Sequence, residues 1–141
     1  MKNSNHSKPR ALVLGAVLVA TSAPALAAET WLACDGTVAT KKGAAAPTSD
    51  AANDVYAYNN EARALYKYSA MRKSLDLIST TTFDPKKIVW VNVGKGIGSQ
   101  SARWEGSIDR ASMALKIVRE DGDEVMTWSQ TCKPTSALPQ Q

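Results

Sequence analysis

Residues 101–108 read SARWEGSI, and apolar or small residues alternate with polar ones along this segment. A period of two is typical of a strand in an antiparallel sheet that has one buried face and one solvated face. The even-numbered positions are therefore predicted to face the core: Ala102, Trp104, Gly106 and Ile108.

Four further segments have the alternation or the β-branched content expected of strands: 32–38 (LACDGTV), 88–93 (IVWVNV), 113–118 (MALKIV) and 125–132 (VMTWSQTC). The last two flank the charged, Asp-Gly-containing turn at 119–124 and are predicted to form a hairpin. In the second segment, Val89, Val91 and Val93 share one face. Together these patterns predict an all-β domain, a small antiparallel meander of seven or eight strands closed as a barrel or a sandwich.

The stretch between residues 54 and 79 admits two interpretations. As strands, it divides into residues 55–58, 64–68 and 74–78, with turns at 59–60 and 71–72. As a helix, Asn60 would cap a helix over residues 60–77, which has apolar residues at helical spacing. The tyrosines and the β-rich surroundings favour strands, and an α+β fold with one helix is the alternative.

The N-terminus has the three zones of a cleavable signal peptide. Lys2, Lys8 and Arg10 precede the apolar run at 11–20, and Ala25-Leu26-Ala27 suits cleavage after residue 27. The predicted organisation is a signal peptide at 1–27, a single β domain at 28–133 with an exposed loop at 41–52, and a disordered tail at 134–141.

Cleavage would also change the charge and remove the only histidine, His6. The chain has 17 basic and 13 acidic residues; three basic ones precede residue 28, so 14 against 13 remain, a net charge of +1. This balance argues against nucleic acid as a partner, and after cleavage nothing predicts a membrane association.

Two cysteines, Cys34 and Cys132, lie near the two ends of the predicted mature chain. An even number of cysteines in an exported protein predicts a disulfide, which places the protein in the periplasm or outside the cell. Without histidine, two cysteines make an incomplete metal site, so no metal and no cofactor is predicted.

The remaining residues offer little catalytic equipment, because the histidine-dependent mechanisms lose their base. A carboxylate pair would suffice for glycoside hydrolysis, and the candidates are Asp35, Asp76, Glu105 and Asp109. Asp35 and Glu105 are predicted to face outward. A hydrolase is therefore the weakest hypothesis, and a non-catalytic protein is favoured without excluding an enzyme.

Aromatic residues are the most suggestive feature, because Tyr and Trp often line ligand pockets and protein interfaces. The candidate contact residues are Tyr56, Tyr58, Tyr66, Tyr68, Trp104 and, in a glycine-rich loop at 94–100, Lys95. The leading hypothesis is a binding or inhibitory module that acts on an envelope or extracellular protein. The alternative is a carrier of a small apolar or aromatic ligand inside a barrel.

The predicted architecture is similar to that of lipocalin-like barrels and of bacterial periplasmic hydrolase inhibitors. The similarity is architectural, since the sequence contains no motif of either group, and no residue role follows from it.

Overall fold

A computed structural model describes residues 29–78, 81–95 and 101–135 of the 141-residue chain. The described residues form nine strands and no helix: β1 (Thr30–Lys42), β2 (Thr48–Asn59), β3 (Ala64–Ser69), β4 (Ser74–Ile78), β5 (Thr81–Phe83), β6 (Lys87–Lys95), β7 (Ser101–Asp109), β8 (Ala114–Asp121) and β9 (Glu124–Thr135). Accordingly, no helix that could cross a membrane occurs in this part of the chain.

The strands form one antiparallel sheet in the order β4-β3-β2-β1-β9-β8-β7-β6-β5. The two edge strands, β4 and β5, are neighbours in sequence, since β4 ends at Ile78 and β5 begins at Thr81. Three residues of chain span at most about 11 Å, so the sheet must curl until its edges meet. The Thr81 hydroxyl accordingly donates a hydrogen bond to the Ile78 carbonyl at 2.8 Å. The result is a nearly closed barrel, because the ladders of the described strands do not pair β4 with β5.

The interior follows the strand alternation. The inward residues of β7 include the predicted set, with Ala102 and Ile108 buried to 1% exposure or less, and Gly106 pairs with Trp90 of β6. Val91 and Val93, on the valine-bearing face of β6, are exposed. The prediction of an all-β meander with this inward face on β7 is confirmed.

A disulfide joins the first and last strands. Cys34 of β1 pairs directly with Cys132 of β9 in the ladder, their sulfur atoms are bonded, and both residues are buried. The predicted bridge is thus confirmed. It closes a loop with a sequence separation of 98 residues, and this length makes the entropic restriction of the unfolded chain large.

Three of the hairpins are built in the same way. The residue at the end of the first strand accepts a backbone N–H from the turn: Asn59 from Ala62, Ser69 from Arg72, and Asp109 from Ser112. Each turn then ends in a non-glycine residue in the left-handed region, namely Arg63, Lys73 and Met113, with φ of 49°, 51° and 58°. Side-chain acceptors therefore specify turns that lack the usual glycine.

Several predicted boundaries are wrong. The alternative helix over residues 60–77 is absent: β3 and β4 occupy this segment, because its tyrosines and leucines pair across strands. The predicted exposed loop at 41–52 is exposed over residues 41–51, but it is mostly strand, since β1 runs to Lys42 and β2 begins at Thr48. At the C-terminus, β9 runs through Pro134 to Thr135. The predicted signal peptide at 1–27 and the tail from 136 lie outside the described residues.

Candidate ligand-binding pocket

The two ends of the barrel are filled differently. At the end where β1 begins and β9 ends, called the packed end, Leu32, Leu65 and Ile88 are fully buried. The Arg110 guanidinium lies between the rings of Tyr58 and Phe83, 5.6 Å from each centroid, and also donates to Asn60. The Arg110 cation thus contacts two rings at this end, and its Nε atom is buried.

The opposite part of the interior, called the open end, contains a pocket of about 340 Å³ that is open on one side. Its volume lies in the range typical of small-molecule sites. The lining is mainly aromatic and aliphatic, with one cation and one amide: Tyr56, Lys67, Ile78, Trp90, Asn92, Val93, Gly94, Trp104, Ile117 and Trp128.

Gly106 determines where the Trp90 indole lies. A Cβ atom at residue 106 would be 2.0 Å from two atoms of the Trp90 ring, so the ring rests directly on the β7 backbone. At Gly94 the corresponding Cβ would lie 3.3 Å from the Trp104 ring, which is tight but tolerable. The missing side chain at residue 106 therefore lets the Trp90 ring pack directly against the β7 backbone.

Trp104 is held by a partly buried ion-pair cluster. The Arg119 guanidinium lies 5.6 Å from the Trp104 ring centroid, and it donates hydrogen bonds to Asp121, to Glu124 at 3.1 Å and to the Met126 sulfur at 3.2 Å. Arg119 pairs with Met126 across the β8–β9 hairpin. The β8–β9 hairpin thus positions the Arg119 guanidinium, and the guanidinium in turn holds the Trp104 indole in place.

A second polar chain runs along the opposite wall. The Lys67 ammonium bonds Asp54 Oδ1 at 2.9 Å, and the Gln130 amide donates to Asp54 Oδ2 at 2.9 Å and to the Ala52 carbonyl at 3.0 Å. Gln130 reaches β2 from β9 across Gly36 of β1, its ladder partner, which has no side chain to obstruct it. The one cation of the pocket lining, Lys67, is therefore neutralised by a carboxylate that lies behind the lining.

Two buried atoms beside this network lack a hydrogen-bond partner among the described residues, the Tyr56 hydroxyl and Gln130 Oε1. Tyr56 borders the pocket but is completely buried, so its side chain presents no accessible surface to it. Burial, and secondly the nearby Asp54 charge, raise the pKa of Tyr56 far above its usual value. The hydroxyl is consequently neutral at all ordinary pH values and remains a hydrogen-bond donor.

The candidate contact residues divide into groups. Tyr56 and Trp104 line the pocket. Tyr58 faces inward at the packed end, under Arg110. Tyr66 and Tyr68 lie on the outer face, because they alternate with the inward Leu65 and Lys67, and Lys95 is exposed at the end of β6. Residues 96–100 of the predicted contact loop lie outside the described residues.

Three of the four candidate carboxylates interact with groups near them in sequence and not with one another. Asp76 pairs with Arg72, Glu105 pairs with Arg103 on the outer face, and Asp109 accepts bonds from its own turn. Asp35 is exposed on β1. In the ranges described, no group of three or more acidic, cysteine or histidine residues could hold a metal ion.

Sequence reasoning missed Lys67, Trp90 and Trp128 as pocket residues. For Trp128 a signal existed. Trp128 and Cys132 are four residues apart on one strand and so lie on the same face of it, and a disulfide inside the barrel therefore places the Trp128 side chain inside as well. For Lys67 no such signal existed, because a lysine pointing into a barrel contradicts the usual polar-outward pattern.

The fold and the site define a class: a nearly closed, disulfide-bonded antiparallel β-barrel with an aromatic pocket at one end. Comparison with known protein families, characterised proteins and solved structures finds no match to this chain. The bridge is typical of an oxidising, extracytoplasmic compartment.

Proposed function

We propose that this protein binds a small apolar or aromatic molecule in the open-end pocket and carries it in the periplasm or outside the cell. The observation that supports this proposal most is the pocket of about 340 Å³ walled by Trp90, Trp104, Trp128 and Tyr56. Concave sites with aromatic walls and few polar groups are the usual form of small-molecule sites. Export by the predicted signal peptide, with cleavage after residue 27, agrees with the disulfide.

The pocket is favoured over the protein-partner hypothesis for a physical reason. Concave apolar surface is costly to leave in water. The large apolar residues that are exposed outside the barrel are few and divided between separate places: Met71 in the β3–β4 turn, Leu77 on β4, and Val91 and Val93 on β6. The Glu105 and Asp109 arrangement also gives no support to a hydrolase, since each carboxylate is engaged by its own neighbours.

Intrinsic tryptophan fluorescence tests the proposal, because three of the four tryptophans line the pocket. We expect saturable quenching by bicyclic apolar compounds such as naphthalene, indole and camphor. For a ligand of about ten non-hydrogen atoms the dissociation constant should be on the order of 10 µM to 1 mM. Isothermal titration calorimetry should give the same constants.

A blocking variant and its control make the test specific. Gly94→Leu places a side chain in the pocket beside Trp104, and it should weaken binding at least about tenfold by occupying the ligand volume. The control, Val91→Leu, places the same leucine side chain on the opposite face of the same strand and should leave binding unchanged. If no compound in the panel binds saturably to the native protein, the proposal is wrong.

A further inference from the structure

We propose that the pocket opens through the side of the barrel, between β4 and β6, and that its ligand is an aromatic compound with a linear apolar chain that leaves the barrel there. This inference rests on the proposed function and deepens it by naming the ligand class and its orientation. The aromatic body would lie inside, among Trp90, Trp104 and Trp128. The side opening is defined by Ile78 of β4 and Val93 of β6, one on each side of it.

The first step is a gap in the barrel wall. β4 is one edge of the sheet, and in the described part of the chain it pairs with β3 alone. β5, the other edge strand, has three residues, which pair with residues 88–90 of β6, whereas β6 runs on to Lys95. Closed barrels normally pair their strands all the way round. The wall between β4 and the second half of β6 is therefore incomplete.

The second step is that the pocket reaches this gap. Ile78 of β4 and Asn92, Val93 and Gly94 of β6 line the same pocket. Successive residues of a strand face opposite sides of the sheet, so a cavity enclosed by the barrel would be lined by alternate residues. Three consecutive residues of β6 line this pocket, and Val93 is 67% exposed. The pocket thus extends past the edge of β6 to the outer surface.

The third step is that the neighbouring end of the barrel is filled. Arg119, the ladder partner of Trp104, is paired with Asp121, whose side chain is only 3% exposed. The β1–β2 and β8–β9 turns are joined there, because the Gly43 N–H donates to the Asp123 carbonyl at 2.9 Å. These strands lie in the middle of the strand order, far from the two edges. The side opening is thus the route from the pocket to solvent that the described residues leave open.

The fourth step concerns the shape of the ligand. Inside the pocket, the Trp90 and Trp104 rings are held by the β7 backbone and by Arg119. Rings that are fixed before binding lose little conformational freedom when a planar molecule packs against them, so a flat aromatic body fits these walls. At the opening, the ligand passes between Ile78 and Val93, and an apolar chain is the group that gains from this contact.

A spin-labelled ligand tests the exit route in the native protein. The probe is a naphthalene joined through a chain of six methylene groups to a nitroxide. Together these parts exceed the pocket volume of about 340 Å³, so the nitroxide must lie outside. In 15N-edited spectra, paramagnetic broadening should be greatest at the amides of residues 75–78 of β4 and 93–95 of β6. It should be weak around Gly43 and Gly122, in turns on the far side of the barrel. Reduction of the nitroxide with ascorbate gives the matched diamagnetic reference.

A pair of ketones tests the apolar sides of the opening. 2-Hexanoylnaphthalene has four more methylene groups than 2-acetylnaphthalene, and contact of its chain with Ile78 and Val93 should make it bind about five- to twentyfold more tightly. Val93→Ser should lower this preference about two- to threefold, because it removes apolar surface beside the chain. Val125→Ser is the matched control, since β9 lies in the middle of the strand order, opposite the opening, and it should leave the preference unchanged.

The outcomes separate the two proposals. If neither the ketones nor the probe bind, the proposed function is wrong and this inference fails with it. If 2-acetylnaphthalene binds but the hexanoyl ketone binds no more tightly, the pocket is closed around its ligand and only the inference is overturned. Broadening that is greatest around Gly43 and Gly122 would also overturn it, since the chain would then leave through the end of the barrel.

Discussion

Alanine substitution at three inward glycines should destabilise the barrel in an order set by what each new methyl group meets. At Gly36 the Cβ would lie 2.1 Å from the Ser129 carbonyl oxygen, a backbone atom that can move only if β1 and β9 separate. At Gly106 it would lie 2.0 Å from the Trp90 ring, and at Gly94 it would lie 3.3 Å from the Trp104 ring.

The magnitudes follow from these contacts. Any Gly→Ala change within a strand stabilises the folded protein by about 0.5–1 kcal/mol, because alanine has less conformational freedom than glycine in the unfolded chain. Overpacking a rigid ring costs about 1–3 kcal/mol, so Gly106→Ala should lose about 1–2 kcal/mol net. Gly36→Ala should lose more than about 3 kcal/mol, because a backbone ladder must open. Gly94→Ala should stay within about 0.5 kcal/mol of the native protein.

Urea unfolding, monitored by far-UV circular dichroism, gives the free energy of unfolding of each variant without relying on tryptophan fluorescence. A double-mutant cycle then checks the cause at Gly106: in a Trp90→Phe background, Gly106→Ala should cost at least about 1 kcal/mol less, because the smaller ring leaves room. The reasoning is refuted if Gly106→Ala is as stable as the native protein or if the two changes are additive.

Three further predictions concern the covalent bridge and the turns. Replacing Cys34 and Cys132 by alanine should cost about 2–5 kcal/mol in urea unfolding, and a loss below 1 kcal/mol would show that the bridge hardly restrains the unfolded chain. Hydrogen bonds from Ser112 lower the pKa of Asp109 below its ordinary value of 3.8. Its stabilising effect is therefore present above that pH and lost as the pH falls through the folded value. Asp109→Asn should thus lower Tm at pH 6 and less so at pH 3, whereas an equal loss at both would exclude this cause. Lys73→Gly should relieve the left-handed backbone strain and stabilise the protein by about 0.5–1 kcal/mol in urea unfolding, and a destabilised variant would contradict this.

The strand pattern could be predicted from sequence because alternation is a local property. Residues 101–108 give the inward face of β7 directly, and the disulfide follows from two cysteines in a chain whose N-terminus predicts export. The segment over 60–77 was ambiguous for the same local reason, since its apolar residues fit both periods. Pairing of β3 with β2 and β4, which is a tertiary effect, decides in favour of strands.

The pocket could not be predicted in this way, because it depends on barrel closure and on how far side chains fill the interior. The alternation of strand residues predicts that Tyr56 and Tyr66 lie on opposite faces of the sheet. It does not predict that Arg110 covers Tyr58 while Tyr56 borders a cavity. The inward lysine, Lys67, is stabilised by Asp54 on the neighbouring strand, and such a pair becomes visible only once the register is known.

The indole N–H resonances of 15N-labelled protein test the central claim, ligand binding inside the barrel. The chain has four tryptophans: Trp90, Trp104 and Trp128 line the pocket, and Trp31 alternates with the inward Leu32 and so lies on the outer face. Titration with 2-acetylnaphthalene should shift the three pocket resonances together, with one saturation curve, and leave Trp31 in place. A Trp31 shift as large as the others, or no saturable shift of the three, would contradict this account.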